Sequence, residues 1–152
     1  MVRQCSRAGV ARAASASPFR RRQQVEQRAD ARGPEALPKP KRLAKRREFL
    51  RIYETGRKIF SRYAVLFIAG NDLAHSRIGI TTTKKIGKAV VRNRLKRWTR
   101  EIYRRQRAPL ALDDQRVDIV VNVKSSAAEA TFQDFRDDLV RVLRRVAKER
   151  AV

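Results

Sequence analysis

The sequence predicts an α+β domain with helices packed on a sheet, in the order α-β-β-β-α-β-α over about 110 residues. Three observations predict it. Residues 62–70 and 76–83 carry strand patterns, the first a short apolar run and the second an alternation. Residues 89–107 and 132–146 repeat apolar side chains at spacings of three and four. Composition changes sharply near residue 38, and only the residues after it have the periodicity of a folded chain.

The first 38 residues are rich in Arg, Ala, Ser, Gln and Pro; eight arginines against three acids give +5, leaving +18 of the total +23 to the rest. With no sustained apolar period, this stretch has too little apolar surface to offset its ordering entropy. Residues 1–38 therefore read as a disordered basic arm ahead of a domain at 39–150. The first 25 residues hold no acid, a composition shared with organellar transit peptides. A secretory signal is excluded, because no apolar core follows the first basic residues.

Each element has its own signal. Pro38 and Pro40 resist helix, and then Phe49, Leu50, Ile52 and Tyr53 give a short helix an apolar face, with Gly56 as its C-cap. Residues 58–61 are a weak edge strand. In 62–70, Ala64, Leu66 and Ile68 point one way and Tyr63, Val65 and Phe67 the other, before the turn at Gly70-Asn71-Asp72. In 76–83, Ile78 and Ile80 belong to the core, leaving Gly79, Thr81 and Thr83 on the second face. Val91, Leu95, Trp98 and Ile102 fall within about 60° of one another on the second helix. Arg92 and Arg94 flank that stripe; Asn93, Lys96, Arg97, Arg100, Arg104 and Arg107 occupy the other side. Pro109 and Asp113-Asp114 end the helix, and 116–123 reads as a buried strand. Thr131 with Asp134 resembles a capping box, opening a third helix through Phe132, Phe135, Leu139, Val142 or Leu143, and Val146.

Charge points to function. The chain has 152 residues, with 38 Lys+Arg against 15 Asp+Glu. Such an excess destabilises a compact state unless a polyanion or counterions offset it. Nucleic acid is the first candidate partner, an anionic membrane surface the second and an acidic protein the third; no stretch approaches the roughly 18 apolar residues of a spanning helix. Residues 84–107 hold eleven Lys+Arg and one Glu. Like charges four apart repel there, so a solvated, salt-laced face does not account for the helix. Arginine binds phosphate bidentately and stacks on bases. On the sheet's second face, small hydroxyls beside Phe67 and Tyr63 suit a groove for bases. The competing reading makes Phe67 core, covered by the helix of Phe49 and Tyr53.

Cys5 and His75 are single, so neither a disulfide framework nor a Cys/His zinc site can form within one chain. A Cys5–His75 nucleophilic pair would draw on the arm. Asp113, Asp114 and Asp118 are the only candidate metal cluster, and a turn with solvated acids is the favoured account of them.

The strings RIGI at 77–80, KKIGKA at 84–89, RNR at 92–94, KR at 96–97 and RE at 100–101 occur together. They lie among the Phe49 helix, the Phe67 strand, VDIVV and the closing TFQDFRDDLVRVLRR in matching order. Over about residues 41–147 the chain resembles the bacterial ribonuclease P protein component. The resemblance implies a two-layer sandwich with a mixed four-stranded sheet and a left-handed β-α-β crossover, against the usual right-handed rule. It implies a cytoplasmic, non-catalytic component of an endonuclease. Its partners would be the catalytic RNA subunit and precursor tRNA, with no membrane and no obligate protein partner. Magnesium ions held by that RNA would cleave the 5′ leader, and the protein itself would bind no cofactor. Lys84, Lys85, Lys88, Arg92, Asn93, Arg94, Lys96, Arg97 and Arg100 would face the RNA subunit. Arg42, Phe49, Tyr53, Phe67, Thr81 and Thr83 would line the leader cleft. The arm exceeds the family's short N-terminus, as an accessory RNA contact or as residues ahead of the true start. Two other classes stand beside this one: a structural, ribosomal-type RNA-binding protein without a role in cleavage, and a self-sufficient nuclease.

Overall fold

The computed structural model describes residues 37–150, apart from the side chain of Arg150. The basic arm thus lies outside the described residues except for its last two. Leu37 is buried in the main core, so packing begins two residues before the expected boundary at 39.

The helices are α1 (Arg46–Thr55), α2 (Ala89–Gln106) and α3 (Phe132–Arg150), and the strands are β1 (Arg57–Phe60), β2 (Ala64–Gly70), β3 (Arg77–Thr82) and β4 (Val117–Val123). Short 3-10 turns at Lys39–Lys41, Lys84–Ile86, Asp113–Gln115 and Ser125–Ala128 join them. The strands form one mixed sheet in the order β1-β2-β4-β3. β2 pairs antiparallel with β1 and with β4, while β3 and β4 run parallel. Parallel neighbours need a crossover, and α2 supplies it.

Alternation sorts the faces. Ile68, Ile119 and Ile78 stand in one row across the sheet, and Leu66, Val121 and Ile80 in the next. They meet Leu95, Ile102 and Tyr103 of α2 and Phe135, Leu139 and Leu143 of α3 in the main core. Each fully buried aliphatic side chain contributes on the order of 1.5–3 kcal/mol. On the opposite face a smaller cluster of Phe67, Ala69 and Val120 is covered by Leu43 and by Phe49, Ile52 and Tyr53 of α1.

Two facing assignments differ from expectation. Tyr63 precedes β2 by one residue, where strand alternation no longer holds. Its ring joins the main core, 6.3 Å from that of Phe135. The stripe on α2 is wider than the four residues expected, because Thr99 and Tyr103 are also buried. Thr99 avoids an unmet hydroxyl by donating to the Leu95 carbonyl at 2.8 Å.

The helix ends obey the local signals. Gly56 caps α1, its N–H donating to the Ile52 carbonyl at 2.9 Å. The Thr131 hydroxyl accepts from the Asp134 N–H at 3.2 Å at the start of α3 and donates to its carboxylate at 2.7 Å. Between the 3-10 turn and α2, Gly87 has φ +133°, a conformation that a side chain would oppose.

Candidate nucleic-acid interface

A buried ion network sets the position of α1. Asp118 of β4 is fully buried and stands beside Arg77 of β3. Arg77 donates to it from Nε at 2.9 Å and from Nη2 at 2.7 Å, a fork matched to a carboxylate. Its Nη1 reaches Glu48 of α1 at 2.8 Å. Arg51 of α1 and Asn71 complete the shell around Asp118 at 3.1 and 2.7 Å. The hydrogen bonds to Asp118 raise the Arg77 pKa above its ordinary value, burial opposes this, and Glu48 adds to the rise. Burial pushes the Glu48 carboxyl up, but donation from Arg77 and from the Lys45 and Ala44 backbone holds it below its ordinary value.

Anchored in this way, α1 crosses the sheet at close range. A Cβ on Gly79 would lie 2.6 Å from Cε1 of Phe49, so any larger residue would push that ring off the sheet. Tyr53 stands edge-on to Phe67, with centroids 4.7 Å apart, and its hydroxyl shares a hydrogen bond with Thr81 Oγ1 at 2.9 Å. Lys58 lies over the Phe67 ring, 5.6 Å from its centroid. Phe67 is consequently only 9% exposed. The reading of this ring as covered core holds: it supports Tyr53 and offers no free stacking face. The open part of the groove is the next row, where Phe60, Val65, Asn122 and Thr81 align across all four strands.

The remaining residues expected in the cleft lie at its margins. Thr83 is exposed, one residue beyond β3, and opens the 3-10 turn toward α2. Arg42 bridges to Ile78 at the outer edge of β3, and its guanidinium donates to the Leu37 carbonyl at 2.7 Å. Asn122 was hidden from sequence reasoning inside an apolar strand. An uncharged amide between Val121 and Val123 was the available signal.

The second surface is a cationic ridge. Lys84, Lys85, Lys88, Asn93, Arg94, Arg97 and Arg100 are exposed, and Arg92 and Lys96 are half-buried. Arg94 lies over Trp98 at 5.1 Å and donates to the Ala128 carbonyl at 3.1 Å. Glu101 is taken up by Arg104 and Arg105; the Arg104 hydrogen bond, helped by Arg105 against burial, lowers its pKa to about 2. The first turn of α2 has no acid and no side-chain cap. Its unmatched N–H groups and positive dipole end therefore add to the surrounding lysines.

The acids do not assemble. Asp118 is buried in the Arg77 network and not solvated as expected, while Asp113 pairs with Lys41. Among the described residues no group of three His, Cys, Asp or Glu could hold a metal ion. His75 Nε2 lies 3.3 Å from the Pro40 carbonyl, and Cys5 falls outside the described residues. No described helix is long and apolar enough to cross a membrane.

Fold and surfaces define a class: a small, strongly basic α+β domain with a cationic crossover helix on one layer and an aromatic-walled groove on the other face of its sheet. The chain belongs to the ribonuclease P protein family, whose model, Ribonuclease P, matches residues 37–147. It is 36% identical to the ribonuclease P protein component of Thermotoga maritima over 116 residues, 74% of this chain and 97% of that one. With the component of Syntrophus aciditrophicus it shares 38% over 98 residues, 64% of this chain and 80% of the other. The solved RNase P protein of Staphylococcus aureus superimposes with a TM-score of 0.64 at 32% identity, covering 70% of this chain and 94% of that structure. For the Thermotoga maritima structure the values are 0.62, 36%, 68% and 96%. Membership makes this chain the protein part of a ribonuclease complex that serves tRNA processing.

Proposed function

We propose that the chain binds the catalytic RNA subunit of ribonuclease P through α2 and the 5′ leader of precursor tRNA through the groove under α1. Removal of the leader is then chemistry of the RNA and the magnesium ions it holds. The observation that supports this reading is that one sheet carries two surfaces with different nucleic-acid chemistry. On the α2 layer, guanidinium and ammonium groups crowd an exposed helix and suit phosphate, each neutralised phosphate releasing about 0.7–0.9 of a counterion. Across the other face, Val65, Asn122 and Thr81 form a narrow, mildly polar floor beside Tyr53, which suits an extended single strand.

The mechanism is positional. The ridge offsets RNA phosphate repulsion and so favours the folded RNA and its metal sites. The groove holds the leader and so favours precursor over product. The test is cleavage of precursor tRNA at low magnesium by protein alone, RNA alone and both together. Cleavage that requires the RNA and rises with the protein is expected. Cleavage by protein alone would replace this reading with a self-sufficient nuclease, and RNA binding without stimulation would leave the structural RNA-binding class.

A further inference from the structure

Phe60 belongs to neither core cluster. It is 69% exposed, among the most exposed large apolar side chains of the described residues. Its neighbour Ile59 is buried in the main core, so Lys58 and Phe60 face the groove side of β1. The Lys58 ammonium over Phe67 confirms that facing. Register then places Phe60 opposite Val65, and Val65 opposite Asn122. Phe60 is thus the β1 end of the open row, with Thr81 and the Tyr53 hydroxyl at the β3 end.

Chemistry separates the two ends. Phe67 is covered by Tyr53 and Lys58, whereas Phe60 keeps a free ring. An exposed phenylalanine on an edge strand gains little from folding and carries an association hazard, which edge cations such as Arg57 and Lys58 counter. With strands about 4.8 Å apart, the row from β1 to β3 spans roughly 14 Å. At a rise of about 3.4 Å per stacked nucleotide, that exceeds the length of a single nucleotide. Aromatic rings beside cations are the chemistry that holds single strands without regard to sequence.

We propose that Phe60, with Lys58 and Asn122, forms an outer nucleobase subsite at the β1 end of the groove. It takes a single-stranded leader nucleotide beyond those reached at the α1 end. The base stacks on Phe60, Lys58 offsets the adjoining phosphate, and the Asn122 amide faces the same row. This subsite rests on the groove reading above and extends it.

The experiment uses the reconstituted complex of RNA subunit and full chain, with precursor tRNAs whose leaders lengthen one nucleotide at a time and mature tRNA as reference. Phe60→Ala should lose roughly tenfold in affinity once the leader passes a threshold length. It should lose nothing for the shortest leaders or for mature tRNA. Phe60→Trp should restore the long-leader affinity, and Phe60→Leu should not. Because Phe60 is exposed, these variants test binding and not folding. Wild-type protein that confers no preference for precursor over mature tRNA would remove the groove itself. A wild-type preference left whole by Phe60→Ala at every leader length would remove the subsite alone. Self-association of the wild type that Phe60→Ala abolishes, without any leader-length effect, would instead assign the ring to a second copy of this chain and overturn the proposal.

Discussion

Asp118 has zero exposure, and Arg77, Arg51 and Asn71 surround it with donors. Removing the buried carboxylate leaves Arg77 with Glu48 alone as counter-charge and the Asn71 amide without its acceptor, so Asp118→Ala should destabilise the domain by up to about 3 kcal/mol. Urea denaturation measures this, and an unchanged midpoint would show that the network is dispensable. Glu48 gives the same network a pH dependence. Its folded pKa lies below the ordinary 4.5, so the carboxylate's contribution is complete above that value and is lost as pH falls through the lowered one. The stability difference between wild type and Glu48→Gln should therefore be flat from neutral pH to about 4.5 and shrink below it. A gap that persists unchanged in stronger acid would exclude the Arg77–Glu48 pair as its source. Neither role was legible in the sequence, where Asp118 read as one acid of a turn. Strand pairing with Arg77, 41 residues earlier, removes it from water.

Among the elements, α2 was the most legible. Its apolar spacing fixed one side and its charge run the other, and both are properties of a single helix turning at 3.6 residues. The contact of Arg94 with Trp98 follows the i,i+4 spacing of one helix, but its hydrogen bond to Ala128 was not legible, because α2 and the turn before α3 meet only in the folded chain. Arg92→Ala with Arg94→Ala should weaken binding of the RNA subunit and reduce the slope of log affinity against log salt by up to about two. Titration of the subunit at several salt concentrations measures this, and a slope equal to wild type would remove α2 from the interface. The α1 helix was legible as a helix but not in its depth of contact. Gly79 sets that depth, since the Phe49 ring occupies the space of the missing Cβ.

For the whole molecule, +23 is the dominant long-range term. Self-repulsion opposes the compact state, and any anion bound only by the folded form opposes unfolding. The free protein should therefore melt at a higher temperature with micromolar inorganic polyphosphate, too dilute to act by exclusion from the surface, than in the same buffer without it. Equal melting temperatures with and without polyphosphate would show that the folded surface has no specific anion affinity. The two surfaces also depend on the whole sheet, because α2 packs on one face while the groove crosses the other.

The sequence by itself determined the elements, their order, the net charge and the strings that carry the family, because helix and strand periods are local properties. It also determined that Ala64, Leu66 and Ile68 would share a face. The tertiary structure decided what lies opposite each face. It inserted β4 between β2 and β3, turned Tyr63 into the main core, covered Phe67 with Tyr53 and left Phe60 open. The physical reason is that burial and register are set by pairs distant in the chain, such as Gly79 with Val120 and Phe60 through Val65 with Asn122. A local period reports which way a side chain points and carries no information about what it will meet.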